Sequence, residues 1–254
     1  MIIVDFNSFR KKVYSQFGQD GVLEKIFNVI GTTNKFFVEF GSSGSDESQG
    51  NTANLRRRGF DGLLMDGSAT PYSTDRFHEY PVEVEFVSVE NIVGLFEKHE
   101  VPVDLDFLSI DIDGNDYWVL KEILSKQYKP RVVCIEANYH LPMSKKLVWP
   151  YDPEFIWQGN TSFGASYAAF LSLCIEFEYS LASICGCDMI FIRNECLPDG
   201  AVIKDANNIV ALYEVGTLDR QSLEAGLLSA MARDEWIDLD DTDDIQPGEE
   251  PNGC

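Results

Sequence analysis

An apolar run ends in an acidic residue and a glycine-rich turn near the start of the chain. Residues 36–38 are Phe-Phe-Val, and residues 39–46 read Glu-Phe-Gly-Ser-Ser-Gly-Ser-Asp. Glycines let the backbone turn tightly and a ligand approach closely, whereas the acidic residue would repel a pyrophosphate. The turn therefore suits a ligand with hydroxyls and a positive charge, such as S-adenosylmethionine. An ordinary strand-to-loop turn is the alternative. The candidate binding residues are Glu39, Gly41, Ser43 and Gly44.

Polar residues also follow the other apolar runs that read as strands. They are Asp66, Ser88, Asp111, Asp113, Glu136 and Asn138. Open α/β sheets bind ligands outside the carboxyl ends of their strands, where the strand order reverses. We therefore expect these residues to line one site. Asp66 is the expected partner of the ribose hydroxyls, because a carboxylate can accept both protons. Ser88 is expected beside the adenine, and Asp111 is expected to contact the cofactor.

His140 is the candidate general base, since it follows the fifth predicted strand close to Glu136 and Asn138. An ordinary loop histidine is the alternative. The long loop that follows it, residues 141–164, is rich in Trp, Pro and Gly. Its aromatic residues would either stack on a planar or sugar acceptor or pack against the cleft. These aromatic residues are Trp149, Trp157 and Phe163.

Strand and helix patterns alternate along the part of the chain that carries these residues. Strand candidates cover residues 36–40, 62–65, 82–87, 107–112 and 132–135, and helical spacing covers residues 21–30, 52–58, 92–97 and 117–125. Such alternation predicts a doubly wound α/β fold with helices on both faces of a parallel sheet.

The last two strand candidates are connected differently from the earlier ones. A helix over residues 166–176 precedes strand candidates 179–184 and 188–192, which only three residues connect. So short a connection requires an antiparallel hairpin. We expect a Rossmann-like class I methyltransferase fold, with a mainly parallel seven-stranded sheet and a C-terminal antiparallel hairpin.

Composition and charge limit the remaining possibilities. One domain is expected over residues 1–233, ending in a helix over residues 219–233. Residues 234–254 contain nine acidic residues and no Lys or Arg, so we expect an acidic disordered tail. The net charge of −22 disfavours nucleic acid and anionic membranes as partners. The first residues do not resemble a signal peptide, which predicts a cytoplasmic protein.

Several segments resemble the FkbM-type S-adenosylmethionine-dependent methyltransferases. They are residues 14–20 (Tyr-Ser-Gln-Phe-Gly-Gln-Asp), 37–41 (Phe-Val-Glu-Phe-Gly), 51–52 (Asn-Thr), 62–66 (Gly-Leu-Leu-Met-Asp) and 186–193 (Gly-Cys-Asp-Met-Ile-Phe-Ile-Arg). The resemblance implies methyl transfer, commonly to a hydroxyl of a sugar or natural product. It also implies cleft contacts for Gln16 and Gln19, although Gln19 and Asp20 could instead cap the first helix. Asn51 is a further candidate for the cofactor site or for a helix cap.

Residues 106–117 are also similar to the fourth-strand segment of cation-dependent O-methyltransferases. That similarity implies a divalent ion held by Asp111, Asp113, Glu136 and Asn138, and a catalytic role for Asp111 through the ion. Oxygen-only ligands suit Mg²⁺ or Mn²⁺. The alternative is that Asp111 contacts only the cofactor amine and Glu136 caps a loop.

Two functions remain open at this point. The first is O-methylation of a sugar or small-molecule hydroxyl with S-adenosylmethionine, assisted by a divalent metal if the acidic residues hold one. The second is a non-catalytic Rossmann-like module that binds a nucleotide or a partner. The sequence indicates neither the acceptor nor the oligomeric state.

Overall fold

The computed structural model describes residues 1–41, 50–67, 81–213, 220–241 and 247. The strands in this part are β1 (Ile2–Val4), β2 (Phe36–Phe40), β3 (Asp61–Met65), β4 (Val82–Glu83), β5 (Phe107–Ile110), β6 (Val132–Glu136), β7 (Leu147–Val148), β8 (Tyr179–Cys185), β9 (Asp188–Arg193), β10 (Ala201–Ile203) and β11 (Ile237–Asp238).

The helices are α1 (Gln19–Ile30), α2 (Ala53–Arg57), α3 (Ile92–Lys98), α4 (Asp116–Ser125), α5 (Tyr167–Glu176), α6 (Ile209–Leu212) and α7 (Arg220–Met231). Short 3-10 helices occur at Asn7–Phe9 and Asn194–Cys196. Among the described residues, none of these helices has the length and apolar character needed to cross a bilayer.

Seven strands form the central sheet in the order β4-β3-β2-β5-β6-β9-β8. The five strands from β4 to β6 are parallel, and β9 lies antiparallel between β6 and β8. The α/β class and the mainly parallel seven-stranded sheet are therefore confirmed. The strand order reverses between β2 and β5, so a crevice at their carboxyl ends is the expected ligand site.

Helices cover both faces of this sheet. Successive strand residues point to opposite faces. On β2, Phe37 packs in one cluster with Leu23 of α1, whereas Val38 and Phe40 pack in another with Phe96 of α3. Because both faces are buried, the strand needs apolar residues at successive positions, which explains the run of three apolar residues at 36–38.

The structure differs from the predicted pattern where elements are short. β4 contains only two residues, although the sequence predicts a strand over residues 82–87. Two small sheets, β1 with β10 and β7 with β11, are not predicted at all. Strands of two or three residues leave no periodic signal, so the pattern along the chain could not indicate them.

The C-terminal segment docks on the body over residues where a disordered tail is expected. In β11, Ile237 is paired with Val148 of β7 and is only 4% exposed. The ring of Trp236 meets that of Trp149 edge to face at 4.9 Å, and its Nε1 donates to the carbonyl of Ala230. This corrects the expected disorder for residues 236–238, where Ile237 is buried and Trp236 packs on Trp149.

Truncation after Arg233 is therefore expected to lower the free energy of unfolding by about 3 kcal/mol. The deletion exposes the surface that Ile237 and Trp236 cover, and burying one large apolar side chain contributes about 1.5–3 kcal/mol. Urea denaturation measures the loss, with truncation after Asp241 as the control that retains β11. Equal stability of the two truncated proteins would show that β11 contributes nothing.

Candidate functional site

Two strand ends approach each other closely at the point where the strand order reverses. Gly41, directly after β2, has φ +69°, and its N–H donates to the carbonyl of Met65 at 3.0 Å. A Cβ at this position would lie 1.4 Å from the carbonyl oxygen of Asp111, directly after β5. Only glycine allows this contact, so the predicted turn glycine determines how closely the two strand ends approach.

A cleft of about 560 Å³ opens beside this contact, which lies within the usual size range of small-molecule sites. Its described lining comes from the carboxyl ends of β2, β3, β5 and β6, from the segment after β4, from the chain before α1 and from the loop after β7. These residues are Gln16, Gly41, Met65, Asp66, Gly67, Glu85, Phe86, Val87, Asp111, Ile112, Asp113, Asn115, Glu136, Phe155, Ile156 and Trp157.

Three carboxylates meet on the cleft wall. Asp111, Asp113 and Glu136 each offer an oxygen atom, and these atoms all lie within 4.8 Å of one another. Burial raises the pKa of Asp111 well above its usual range, and the charge of Glu136 adds to this. Burial likewise raises the pKa of Glu136 to about 8, although a hydrogen bond with Asp111 acts against it. The pKa of Asp113 is raised by burial and by Asp66.

Asp116, the first residue of α4, shapes the backbone that carries these acids. Its carboxylate accepts hydrogen bonds from the N–H groups of Ile112 at 2.9 Å and Gly114 at 2.8 Å. Asp113 between them has φ +55°. Burial raises the pKa of Asp116 to about 6 in spite of these bonds. The turn is therefore held by a carboxylate that itself adds to the negative charge of the cleft.

A buried polar network lies behind the cleft and was not predicted. Asp188, at the start of β9, accepts hydrogen bonds from Nε2 of Gln19 and Nδ2 of Asn51. Nδ2 of Asn51 also reaches Oγ of Ser109 at 3.1 Å. Burial raises the pKa of Asp188. Gln19 and Asn51 therefore join distant segments behind the site rather than lining it, which corrects their expected cofactor contacts.

The motif before α1 places Gln16 at the cleft. Oδ2 of Asp20 accepts hydrogen bonds from the N–H groups of Val13, Tyr14 and Ser15. Ser15 in turn accepts one from the N–H of Asp20 through Oγ at 3.1 Å. The Ser15 hydroxyl thus satisfies one N–H in the first turn of α1, whereas the Asp20 carboxylate holds the preceding turn and makes no capping hydrogen bond to the helix. Gln16 protrudes from the turn and lines the cleft, where the resemblance expects it.

Glu39 does not line the cleft. It is 5% exposed, and its carboxylate accepts hydrogen bonds from the N–H of Asn51 at 2.7 Å and from the N–H and hydroxyl of Thr52. This corrects the expectation that Glu39 faces the ligand, since its acceptor oxygens are directed at the start of α2. Burial raises the pKa of Glu39, with the Thr52 hydroxyl acting against it. Ser43 and Gly44 lie outside the described residues.

Asn138 is not positioned as a metal ligand. Its Nδ2 donates to the carbonyls of Thr161 and Phe163, both at 2.9 Å, and its Oδ1 accepts the N–H of His140. The side chain thus ties the loop after β7 to the end of β6. This use of all its polar atoms corrects the expected role in metal binding.

Neither His140 nor Ser88 is among the described lining residues of the cleft. A Cβ on Gly226 would lie 1.8 Å from Nδ1 of His140, so the imidazole packs directly against α7. Burial lowers the pKa of His140. This corrects its expected role as general base. The N–H of Ser88 donates to Oδ1 of Asn91 at 2.8 Å, where α3 begins, and Ser88 is absent from the described lining.

The loop after β7 supplies lining residues that the sequence did not single out. Trp157 lines the cleft, as stacking on an acceptor requires. Phe155 and Ile156 line the cleft beside it. Phe163 is buried behind Trp157, with ring centroids 5.8 Å apart. Trp149 packs on Trp236 and not on the cleft. In the sequence, only their position next to Trp157 indicates that Phe155 and Ile156 line the cleft.

Comparison with known proteins identifies the family of the chain. No curated protein matches the chain at a significant level. The family model described as the methyltransferase FkbM domain matches residues 27–158, which include β2 through β7 and most of the cleft lining. Because the match covers more than half of the sequence, the chain belongs to the FkbM family of methyltransferases.

Proposed function

We propose that this protein transfers a methyl group from S-adenosylmethionine to a hydroxyl group of a sugar or other small molecule. One observation supports the cofactor most directly. The cleft opens where the backbone of Gly41 meets that of Asp111 at the reversal of strand order, and Asp66 stands at the next strand end. The family membership supports methyl transfer.

The positions of the lining residues indicate which of them would bind the cofactor. Asp66, after β3, would accept hydrogen bonds from the ribose hydroxyls. Phe86 and Val87 line the same side, where an adenine ring would find apolar contacts. Gly41 leaves room for the ligand beside the backbone, and Gln16 contributes an amide at the rim. Bound there, the cofactor would supply an activated methyl group for transfer to the acceptor oxygen.

The three carboxylates Asp111, Asp113 and Glu136 fit a divalent cation such as Mg²⁺ or Mn²⁺. All offer oxygen atoms, which these ions prefer. Among the described lining residues none is Lys, Arg or His, so no basic side chain there neutralises them. When bound, such an ion would lower the pKa of an acceptor hydroxyl. Without it, the crowded carboxyl groups retain a proton, as the raised pKa values of Asp111 and Glu136 indicate.

Asp66→Asn is expected to weaken S-adenosylmethionine binding roughly tenfold to a hundredfold. Losing a charged acceptor for ligand hydroxyls costs about 1.5–3 kcal/mol. Titration calorimetry measures the affinity. Asp61→Asn is the matched control, because Asp61 lies at the opposite end of the same strand. Unchanged affinity in a folded Asp66→Asn protein would refute the ribose contact.

A further inference from the structure

The segment before α1 and the start of β9, which both carry the family resemblance, meet behind the cleft. Nε2 of Gln19 donates to Oδ2 of Asp188, and Oε1 of Gln19 accepts the N–H of Phe17 at 2.8 Å. Gln19 is 1% exposed and Asp188 is 6% exposed, so water does not compete for the bond between them. Because the amide of Gln19 is bonded at both ends, it fixes the backbone directly after Gln16 to the first residue of β9.

A second contact fixes the same segment to the turn between β8 and β9. The ring of Phe17 rests on Gly186, where a Cβ would lie 2.5 Å from Cδ2. Gly186 has φ +64°, and its carbonyl accepts the hydroxyl of Tyr167 at 2.9 Å. Glycine leaves room for the ring at this turn. The β8–β9 turn therefore holds the backbone beside Gln16, although the turn itself contributes no residue to the described lining of the cleft.

These contacts determine the side from which Gln16 reaches the cleft. β9 lies beside β6, and Asp188 is paired in register with Glu136 at the end of β6. Gln16 therefore approaches the cleft from the side of β6. Asp66 follows β3, which is three positions away from β6 in the sheet order, and neighbouring strands lie about 4.8 Å apart. Gln16 and Asp66 thus stand toward opposite ends of the cleft.

Gln16 is one of two amide side chains in the described lining. The other, Asn115, bonds the backbone of Asp152 through both of its polar atoms. Nε1 of Trp157 donates to the carbonyl of Asn160 at 2.7 Å. The described lining contains no Lys, Arg or His that could bind a carboxylate on a ligand. An amide carries two N–H donors, which a carboxylate accepts well. The amide of Gln16 therefore suits a ligand carboxylate at the β6 end.

We infer that Gln16 binds the amino-acid part of S-adenosylmethionine, and that Gln19 and Asp188 are positioning residues that hold it there. This assignment rests on the proposed function and deepens it. Contacts of ribose with Asp66 and of adenine with the segment after β4 place the adenosine at the β3 end, so the amino-acid part extends toward β6. Its carboxylate would accept hydrogen bonds from the amide of Gln16.

Calorimetry with S-adenosylmethionine and with adenosine, which lacks the amino-acid part, tests the inference. Gln16→Ala should weaken S-adenosylmethionine binding about tenfold, since a hydrogen bond to a charged group contributes roughly one such factor. Adenosine should bind as it does to the wild type. Gln19→Met keeps the length of the side chain but removes both hydrogen bonds, and it should show the same selective loss. A merely structural role of Gln19 would weaken both ligands.

Three further variants separate positioning from general damage. In a protein that carries Gln16→Ala, adding Gln19→Met should cause no further loss, because the effect of Gln19 passes through Gln16. Asp188→Asn keeps an oxygen that accepts from Gln19 and should retain the affinity, whereas Asp188→Ala should resemble Gln19→Met. Tyr179→Phe is the control, since Tyr179 is 2% exposed and donates to the carbonyl of Pro130, outside the described lining. Urea denaturation verifies that each variant is folded.

Wild-type affinity for S-adenosylmethionine in Gln16→Ala, equal weakening of both ligands, or additive losses in the double variant would overturn the inference. In each of these cases the wild type still binds S-adenosylmethionine, so the proposed function stands. If the wild type binds neither ligand, the proposed function is wrong and the inference fails with it. The wild-type measurement therefore distinguishes the two failures.

Discussion

Replacing Gly41 with alanine is expected to lower the free energy of unfolding by at least about 3 kcal/mol and to abolish binding of S-adenosylmethionine. A left-handed backbone conformation costs a non-glycine residue about 1–2 kcal/mol. The larger part of the loss comes from contact, because the new Cβ would lie 1.4 Å from the carbonyl oxygen of Asp111. Backbone atoms cannot rotate away as a side chain can, so the strand ends must separate.

Gly31→Ala is the matched control for this substitution. Gly31 follows α1 with φ +68°, close to the +69° of Gly41, but a Cβ there would meet nothing within 4 Å. Both variants place an alanine at a positive φ, and only Gly41→Ala has the contact. Urea denaturation and calorimetry on the two proteins measure the difference. Equal, small losses of stability would show that the strand ends can move apart freely.

The stability of the metal-free protein is expected to fall as pH rises from 4.5 to about 8. These are the pKa values of Glu136 in the unfolded and the folded protein. In the folded protein the pKa of Glu136 is raised to about 8, so the folded state holds a proton that the unfolded state has released. Stability declines wherever the folded state binds more protons. One pKa unit corresponds to about 1.4 kcal/mol, so the melting temperature should drop by at least ~5 °C.

Thermal denaturation in excess chelator, repeated with Mg²⁺, measures this effect. Mg²⁺ should restore the melting temperature at the upper end of the interval, because the cation stabilises the ionised carboxylates. Glu136→Gln should flatten the pH dependence and weaken the response to Mg²⁺. If Mg²⁺ leaves the melting temperature of the wild-type protein unchanged across the interval, the result would contradict the metal site. A flat pH profile without metal would contradict the raised pKa of Glu136.

The elements and the location of the site were predictable from local patterns. The apolar runs that became β2, β3, β5 and β6 end within two residues of their predicted limits. Parallel strands place their carboxyl ends at one edge, so the acidic residues that follow them had to be neighbours. The sequence indicates Gly41 as a turn residue, because a glycine directly after a buried strand allows a tight turn and a close approach of the backbone.

The direction of each polar side chain was decided only by the tertiary structure. Glu39 and Asp111 both follow or end apolar runs, yet Glu39 is directed at the start of α2 and Asp111 at the cleft. The difference comes from groups that are distant in sequence, since the carboxylate of Glu39 accepts hydrogen bonds from the N–H groups of Asn51 and Thr52. His140 looks suitable from the sequence but packs against Gly226, far along the chain.

Contacts between distant segments explain what the sequence alone left undetermined. Gln19 reaches Asp188 across 169 residues, and Ile237 pairs with Val148 from a distant part of the sequence. Such partners share no period or spacing, because a hydrogen bond or a strand pair depends on where folding brings the chain together. By itself the sequence determined the sheet, the turn glycine and the acidic edge. The packing of the loop after β7 determined which apolar side chains line the cleft, because that loop is placed by contacts with distant segments.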